Sequence, residues 1–73
     1  MPMKLLEGIK PEILPFCEVF FFRDADWWFV EITWGSDVLA TSRMFEDVSE
    51  MLAVRRQAQA EIELASVMCM RPI

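Results

Sequence analysis

The stretch Phe20–Phe29 reads FFFRDADWWF and contains six aromatic residues, three on each side of four mostly charged residues. Aromatic residues favour β-strands, and a short charged segment between two apolar runs is typical of a β-hairpin turn. A β-strand can bury only alternate side chains against one core. The stretch therefore predicts a hairpin and raises the question of what covers the other half of its rings.

Pairing the two aromatic runs across an Asp24-Ala25 turn sets Arg23 opposite Asp26 and separates two faces. One face is wholly apolar and is expected to pack on the core: Cys17, Val19, Phe21, Trp28, Val30, Ile32 and Trp34. The other face is aromatic near the turn and acidic at the far end: Glu18, Phe20, Phe22, Trp27, Phe29, Glu31 and Thr33.

The segments after the hairpin predict a third strand and a helix. Gly35-Ser36 suits a type II′ turn, because Gly accepts the positive φ of the first central position, and would return Asp37–Ser42 as an antiparallel strand. Asp47 and Glu50 have the spacing of a capping box, in which Asp47 caps the N–H three residues on and Glu50 reaches back to the Asp47 N–H. Apolar residues then recur at helical spacing: Val48, Met51, Leu52, Ala58, Ile62 and Ala65.

We predict one α+β domain with β-β-β-α order over residues 1–73. Pro2, Pro11 and Pro15 bias the first segment against regular structure, and its apolar residues are expected to lie across the core. The last nine residues fit a final helical turn, a frayed end or a short edge strand. The boundaries are an N-terminal arm at 1–16, an antiparallel sheet at 17–43, a helix on one sheet face at 47–64 and a tail at 65–73.

Seven basic and twelve acidic residues give a net charge of −5, and the chain contains no His. The negative charge repels a phosphate backbone, which argues against binding to duplex nucleic acid. The absence of His removes the commonest general base and metal ligand. We therefore expect no enzymatic activity, no metal and no cofactor. Cys17 and Cys69 are expected to be small buried apolar residues, with a disulfide left open if the ends of the fold meet.

Charged residues interrupt the N-terminal segment where a signal peptide would be apolar: Lys4, Glu7, Lys10 and Glu12. No uncharged run approaches the roughly 20 residues of a membrane span. We expect a cytoplasmic protein with no membrane association. The apolar content is 55% in 73 residues, more than a small helix-and-sheet unit encloses easily. This surplus indicates a second subunit or another protein partner.

The middle of the chain resembles the small YegP-like domains of bacteria over about residues 19–60. The resemblance lies in "FFFRDADWWFVEI", then "GSDVLATSRMFED", then a helix rich in Ala and Arg. The Asn-Gly turn usual in those domains is replaced here by Gly35-Ser36, and the Pro-rich arm is additional. The resemblance implies a compact ββ(β)α module that often pairs with a copy of itself, and it implies no catalytic residues.

A helix on one sheet face would leave Phe20, Phe22, Trp27 and Phe29 on the other. Rings left in water would forgo several kcal/mol of burial, so we expect something to cover them. Three interpretations stay open: the arm folds over them and completes a monomeric core, a second copy forms a homodimer, or another protein docks there.

Two further surfaces are candidates for contacts with a partner. One surface consists of carboxylates that could bind a basic, nucleic-acid-binding surface of a host protein: Asp24, Asp26, Asp37, Glu46 and Asp47. Small inhibitors from phages or mobile elements present carboxylates in this way.

Arg55 and Arg56 have no acidic residue four positions away, which favours contact with a partner. Single-stranded nucleic acid could stack on the aromatic face. That interpretation is weakened because Glu18 and Glu31 share the face, and because the nearest cation, Arg23, has its own acidic partner.

Overall fold

The computed structural model describes residues 5–69 of the chain, with the backbone alone for Cys69. A three-stranded antiparallel sheet in the order β1-β2-β3 is followed by one helix, as predicted. The elements are a short 3₁₀ helix at Leu14–Phe16, β1 at Glu18–Asp24, β2 at Trp27–Trp34, β3 at Asp37–Thr41 and α1 at Val48–Cys69.

The hairpin pairs β1 with β2 in a register two residues away from the predicted one. Asp24 lies opposite Trp27 and Phe22 opposite Phe29, so Ala25 and Asp26 form the turn. Side chains alternate with a period of two, so this shift leaves every residue on its predicted face. The predicted alternation is therefore right, but Phe21 and Trp34 on the face expected to pack on the core are 42% and 46% exposed. The predicted register, which set Arg23 opposite Asp26, is wrong.

The turn between β2 and β3 has the predicted geometry. Gly35 has a φ of +61°, and Trp34 pairs with Asp37 on either side of the turn. The ladder then shifts by one residue between Ile32 and Thr33, which leaves Leu39 as the additional residue of a β-bulge in β3. The strand itself ends at Thr41.

The chain continues along β2 after β3 ends. The Ser42 N–H donates to the Val30 carbonyl oxygen at 2.8 Å. Phe45 and Trp28 exchange both backbone hydrogen bonds at 2.7 Å as an isolated antiparallel bridge. This bridge holds the Phe45 side chain in the core, where it is the largest fully buried side chain of the described residues.

Helix α1 begins as predicted and ends later. Asp47 Oδ1 accepts the Ser49 N–H at 2.8 Å, so the cap bonds to the N–H two residues on instead of three. Glu50 accepts from Arg43 at 3.2 Å instead of reaching back to the cap. The helix continues past the predicted end at Leu64 to Cys69, and residues 70–73 of the predicted tail lie outside the described part. No helix in residues 5–69 is long and apolar enough to span a membrane.

The core lies between α1 and the face of the sheet that carries Val30 and Ile32. Its buried side chains come from the arm, the sheet and the helix: Leu6, Ile9, Cys17, Val30, Ile32, Phe45, Met51, Ala58 and Ile62. The described part of the arm, residues 5–16, packs beside this core and against α1, where the Ser66 hydroxyl donates to the Pro15 carbonyl oxygen at 3.2 Å. The arm is therefore part of the hydrophobic core on the helix side of the sheet.

Candidate interaction surface

The sheet face turned away from α1 carries a cluster of aromatic side chains, which we call the aromatic patch: Phe20, Phe22, Trp27 and Phe29. Phe22 stacks on Phe29 with ring centroids 5.6 Å apart and lies 6.5 Å from the Phe20 ring. Phe20, Phe22 and Trp27 are 42–43% exposed, and Phe29 is half-buried. The four residues share one face as the alternation predicts, while their role at an interface stays a prediction.

The described part of the arm does not cover the aromatic patch. Leu6 and Ile9 pack in the cluster that contains Val30 and Ile32, whose side chains lie on the opposite face of the sheet. The interpretation in which the arm completes a monomeric core over the patch is therefore wrong for residues 5–16. The reason is that the arm follows the helix side of the sheet, where its own apolar residues find partners.

The core-facing side of β1 is open near the hairpin turn. Phe21 lies on the face that was expected to pack on the core, yet it is 42% exposed. It lies near the Trp28 ring, at 6.3 Å between centroids, and near the Arg55 guanidinium, at 5.2 Å from its ring centre. Trp28 in turn lies 5.5 Å below the Arg23 guanidinium. Cationic side chains thus cover part of these two rings where buried side chains were predicted.

The predicted acidic residues divide between the two ends of the sheet. Asp24 ends β1 and Asp26 lies in the β1–β2 turn, and the pairing of Phe45 with Trp28 brings Glu46 and Asp47 toward the same end. Asp37 begins β3 at the opposite end, roughly 20 Å away along a strand that rises about 3.3 Å per residue.

Two of the carboxylates at the hairpin end already have bonding partners. Asp26 lies 4.0 Å from the Arg23 guanidinium, and Asp47 caps the helix. Asp24 and Glu46 are the remaining two members of the predicted set at that end. The five residues therefore do not form one continuous acidic surface.

Arg55 and Arg56 line a shallow groove of about 270 Å³ along α1. The other lining residues are Leu52, Gln59, Ala60 and Glu63. Within residues 5–69, neither arginine forms an ion pair, whereas Arg23 and Arg43 each form one. The groove thus places two cationic side chains beside the apolar Leu52 and Ala60, and Arg55 also lies over the Phe21 ring.

The potential metal ligands of residues 5–69 lie apart from one another, and the Cys17 thiol is buried. Within residues 5–69, no group of three potential ligands lies close enough to hold a metal ion. The Cys17 thiol is buried and donates to the Ile13 carbonyl oxygen at 3.4 Å. Burial raises the pKa of this thiol, which keeps it protonated and unreactive near neutral pH. The Cys69 side chain lies outside the described part.

Sequence reasoning missed two residues that fix the sheet. Phe45 lies outside every predicted element, although it is fully buried in the core. Arg43, whose guanidinium lies 4.1 Å from the Phe45 ring centre, also donates to Glu50 and to the Met44 carbonyl. Phe45 lies two residues before the Asp47 cap, one position short of a hydrophobic staple, and its pairing with Trp28 is long-range and has no local pattern.

Comparisons with protein-family models, with curated proteins and with solved structures find no match to this chain. The resemblance to YegP-like domains therefore stays a prediction.

Proposed function

We propose that the protein is a non-enzymatic protein–protein interaction module that associates with a second copy of itself through the aromatic patch. The observation that carries the proposal is the exposure of Phe20, Phe22 and Trp27, at 42–43%, on a sheet face that neither α1 nor the described arm covers. Contiguous exposed apolar surface of this kind marks interfaces in small proteins. Aromatic residues are also the usual anchors of such interfaces.

The shape of the patch supports an interface with a defined centre. Phe22 contacts both Phe20 and Phe29, so three rings already form a row that needs no rearrangement before a partner docks. Preformed contacts lower the entropy cost of association. The acidic residues Glu18 and Glu31 lie on the same face toward the other end of the strands and would form the polar rim.

The test is the solution mass by light scattering after size exclusion, over protein concentrations from about 1 μM to 1 mM, a range that brackets a weak dimer. Phe22→Glu should convert a dimer into a folded monomer, because it places a charge at the centre of the patch. Val38→Glu is the matched control: Val38 is 53% exposed on the same face, but it lies on β3, away from the rings. Circular dichroism checks that both variants are folded.

A parent protein that stays monomeric over this range would overturn the proposal. So would a Phe22→Glu variant that is folded and still dimeric. If Phe22→Glu fails to fold, Phe20→Glu repeats the test at a second position of the patch.

A second candidate function is the inhibition of a host protein, with carboxylates presented to a basic, nucleic-acid-binding surface. The observation that favours it is the placement of Asp24 and Glu46 at one end of the sheet, where neither carboxylate forms a hydrogen bond or an ion pair with residues 5–69. Such binding would weaken with added salt, whereas a dimer held by aromatic rings should be nearly indifferent to it. Measuring each association at low and high ionic strength therefore separates the two functions.

A further inference from the structure

Strand β1 forms one edge of the sheet, and three consecutive Phe residues expose apolar surface on both of its faces. Phe20, Phe21 and Phe22 are each 42–43% exposed, although Phe21 points to the opposite face from its neighbours. A partner stacked on the aromatic patch would cover Phe20 and Phe22 and leave Phe21 in water. A strand added beside β1 would contact all three rings at once.

The hydrogen bonds of β2 identify which backbone groups of β1 lie on the open edge. Trp28 and Val30 direct their N–H and C=O groups away from β1, toward Phe45 and Ser42. Their neighbours across the β1–β2 ladder, Arg23 and Phe21, are therefore non-hydrogen-bonded positions.

The same alternation applies to Val19, which lies opposite Ile32. Val19, Phe21 and Arg23 thus present their N–H and C=O groups to the outside of the sheet. No hydrogen bond from residues 5–69 reaches these groups.

The open edge lacks the features that usually prevent strand addition. Proteins protect long apolar edges with Pro, with central charges or with bulges. β1 has seven residues, no Pro and no bulge, and its charged residues lie only at the ends. An edge of this kind is a template for another strand.

We propose that the second copy docks antiparallel beside β1, so that the two sheets join into one continuous sheet with Phe21 on the two-fold axis. The inference rests on the proposed self-association and specifies its geometry. In this register Phe21 lies opposite Phe21 of the partner subunit, and Val19 lies opposite the partner's Arg23. All of these positions have outward-facing backbone groups, so each pair exchanges both of its hydrogen bonds.

The side chains of β1 are self-complementary in the same register. Phe20 lies opposite the partner's Phe22, which extends the row of rings from Phe29 across the dimer axis on the aromatic face. Among the β1 residues that face each other in this register, Glu18 and the partner's Asp24 form a like-charged pair at each end, where both residues are exposed to solvent. Added salt should therefore strengthen this dimer slightly.

The available area predicts a weak dimer. A fully covered aromatic side chain buries roughly 150–250 Å², so the three exposed Phe rings contribute about 200–300 Å² per copy. A stable interface buries roughly 800 Å² per copy. Stacking on the aromatic patch would bury a similar area of rings, but only edge pairing adds hydrogen bonds between the two backbones.

Amide hydrogen exchange followed by NMR at several protein concentrations tests the geometry directly. The amides of Val19, Phe21 and Arg23 should exchange quickly in the monomer and slow by at least about tenfold as the dimer forms. The amides of Phe20 and Phe22, which face β2, are the internal control and should be protected at every concentration. Light scattering on the same samples reports the fraction of dimer.

A proline variant provides a second readout that leaves the aromatic patch intact. Arg23→Pro removes an N–H that faces solvent in the monomer, so the fold should tolerate it. It also removes a hydrogen bond of the edge-paired dimer and should weaken association at least about tenfold. Arg23→Thr is the matched control, because it loses the same side-chain contacts but keeps the N–H.

The outcomes separate the geometry from the proposed self-association. A dimer in which the Val19, Phe21 and Arg23 amides exchange as fast as in the monomer would overturn edge pairing and leave a stacked dimer. Trp27→Glu should then also disrupt it, whereas edge pairing leaves Trp27 outside the contact. A protein that is monomeric at every concentration would overturn both proposals.

Discussion

The side chain of Ser42 takes the place of a strand in the β2 ladder: its Oγ accepts the Val30 N–H at 2.8 Å, while its own N–H donates to the Val30 carbonyl oxygen at 2.8 Å. The Ser42 hydroxyl in turn donates to the Arg43 carbonyl oxygen. Both backbone groups of a residue in the core are thus satisfied by one residue that lies beyond the end of β3. The chain thus stays hydrogen-bonded to β2 beyond the end of β3, up to the bridge between Phe45 and Trp28.

We predict that Ser42→Ala lowers the free energy of unfolding by about 1–3 kcal/mol, because it leaves the Val30 N–H without a partner. Ser42→Thr keeps the hydroxyl and should recover most of this loss. Ser36→Ala, at an exposed turn position, should change stability by less than about 0.5 kcal/mol. Urea unfolding followed by tryptophan fluorescence measures all three. Equal stability of Ser42→Ala and the parent would show that water replaces the hydroxyl without cost.

We predict that replacing Ala25 in the β1–β2 turn by Gly stabilises the protein. Ala25 has a φ of +56°, a conformation that costs a residue with a Cβ about 1–2 kcal/mol. Ala25→Gly should therefore raise the free energy of unfolding by about 0.5–1 kcal/mol, after the entropy that Gly loses on folding is subtracted.

Gly35→Ala is the reciprocal control for this turn. Gly35 has a φ of +61°, and a Cβ added there would meet no atom within 4 Å. A loss of about 1 kcal/mol in that variant would therefore come from the backbone alone. An Ala25→Gly variant that is less stable than the parent would contradict the prediction.

The register of the hairpin illustrates what the sequence can and cannot predict. Alternation of apolar residues identifies the faces of β1 and β2 correctly, because Val30 and Ile32 must reach the core together. It cannot distinguish two registers that differ by two residues, since both keep every side chain on the same face. In the observed register, Ala25 is the first central residue of the turn and has a φ of +56°. A residue with a Cβ rarely adopts this conformation, so local turn preference does not favour the observed register.

The helix and the sheet edge also show the limit of local patterns. The Asp47 cap is a local signal and predicts the start of α1 correctly. The end of α1 depends on a contact with the arm, and the burial of Phe45 depends on a bridge to Trp28. The exposure of Phe21 follows from the position of β1 at the edge of the sheet, which alternation alone does not specify.

We predict that the arm contributes to stability as a part of the core. Ile9→Ala should lower the free energy of unfolding by about 2–4 kcal/mol, because Ile9 is buried at 8% exposure. Phe16→Ala should have a much smaller effect, because Phe16 is 64% exposed. Thermal unfolding followed by circular dichroism compares the two variants. A loss below about 0.5 kcal/mol for Ile9→Ala would mean that the arm does not pack as described.

We predict that Cys17 makes stability fall at alkaline pH. Burial raises the pKa of the thiol above its ordinary value of 9.0, so the folded state keeps its proton where the unfolded chain has lost it. The free energy of unfolding should therefore decrease as the pH rises above about 9. Cys17→Ala should flatten this dependence when both proteins carry Cys69→Ala. The pH dependence of the urea midpoint is the measurement, and identical slopes would contradict the prediction.

The hydrogen bond from Ser66 to the Pro15 carbonyl oxygen joins residues 51 positions apart. Closing so long a loop is slow, so local elements fold first and this contact is expected to form late. Even with the arm docked, the last turns of α1 have many exposed side chains, with Leu64, Val67 and Met68 all more than 60% exposed. The arm and the C-terminal turns should therefore open and close as one cooperative unit, with a smaller opening free energy than the hairpin and the first turns of α1.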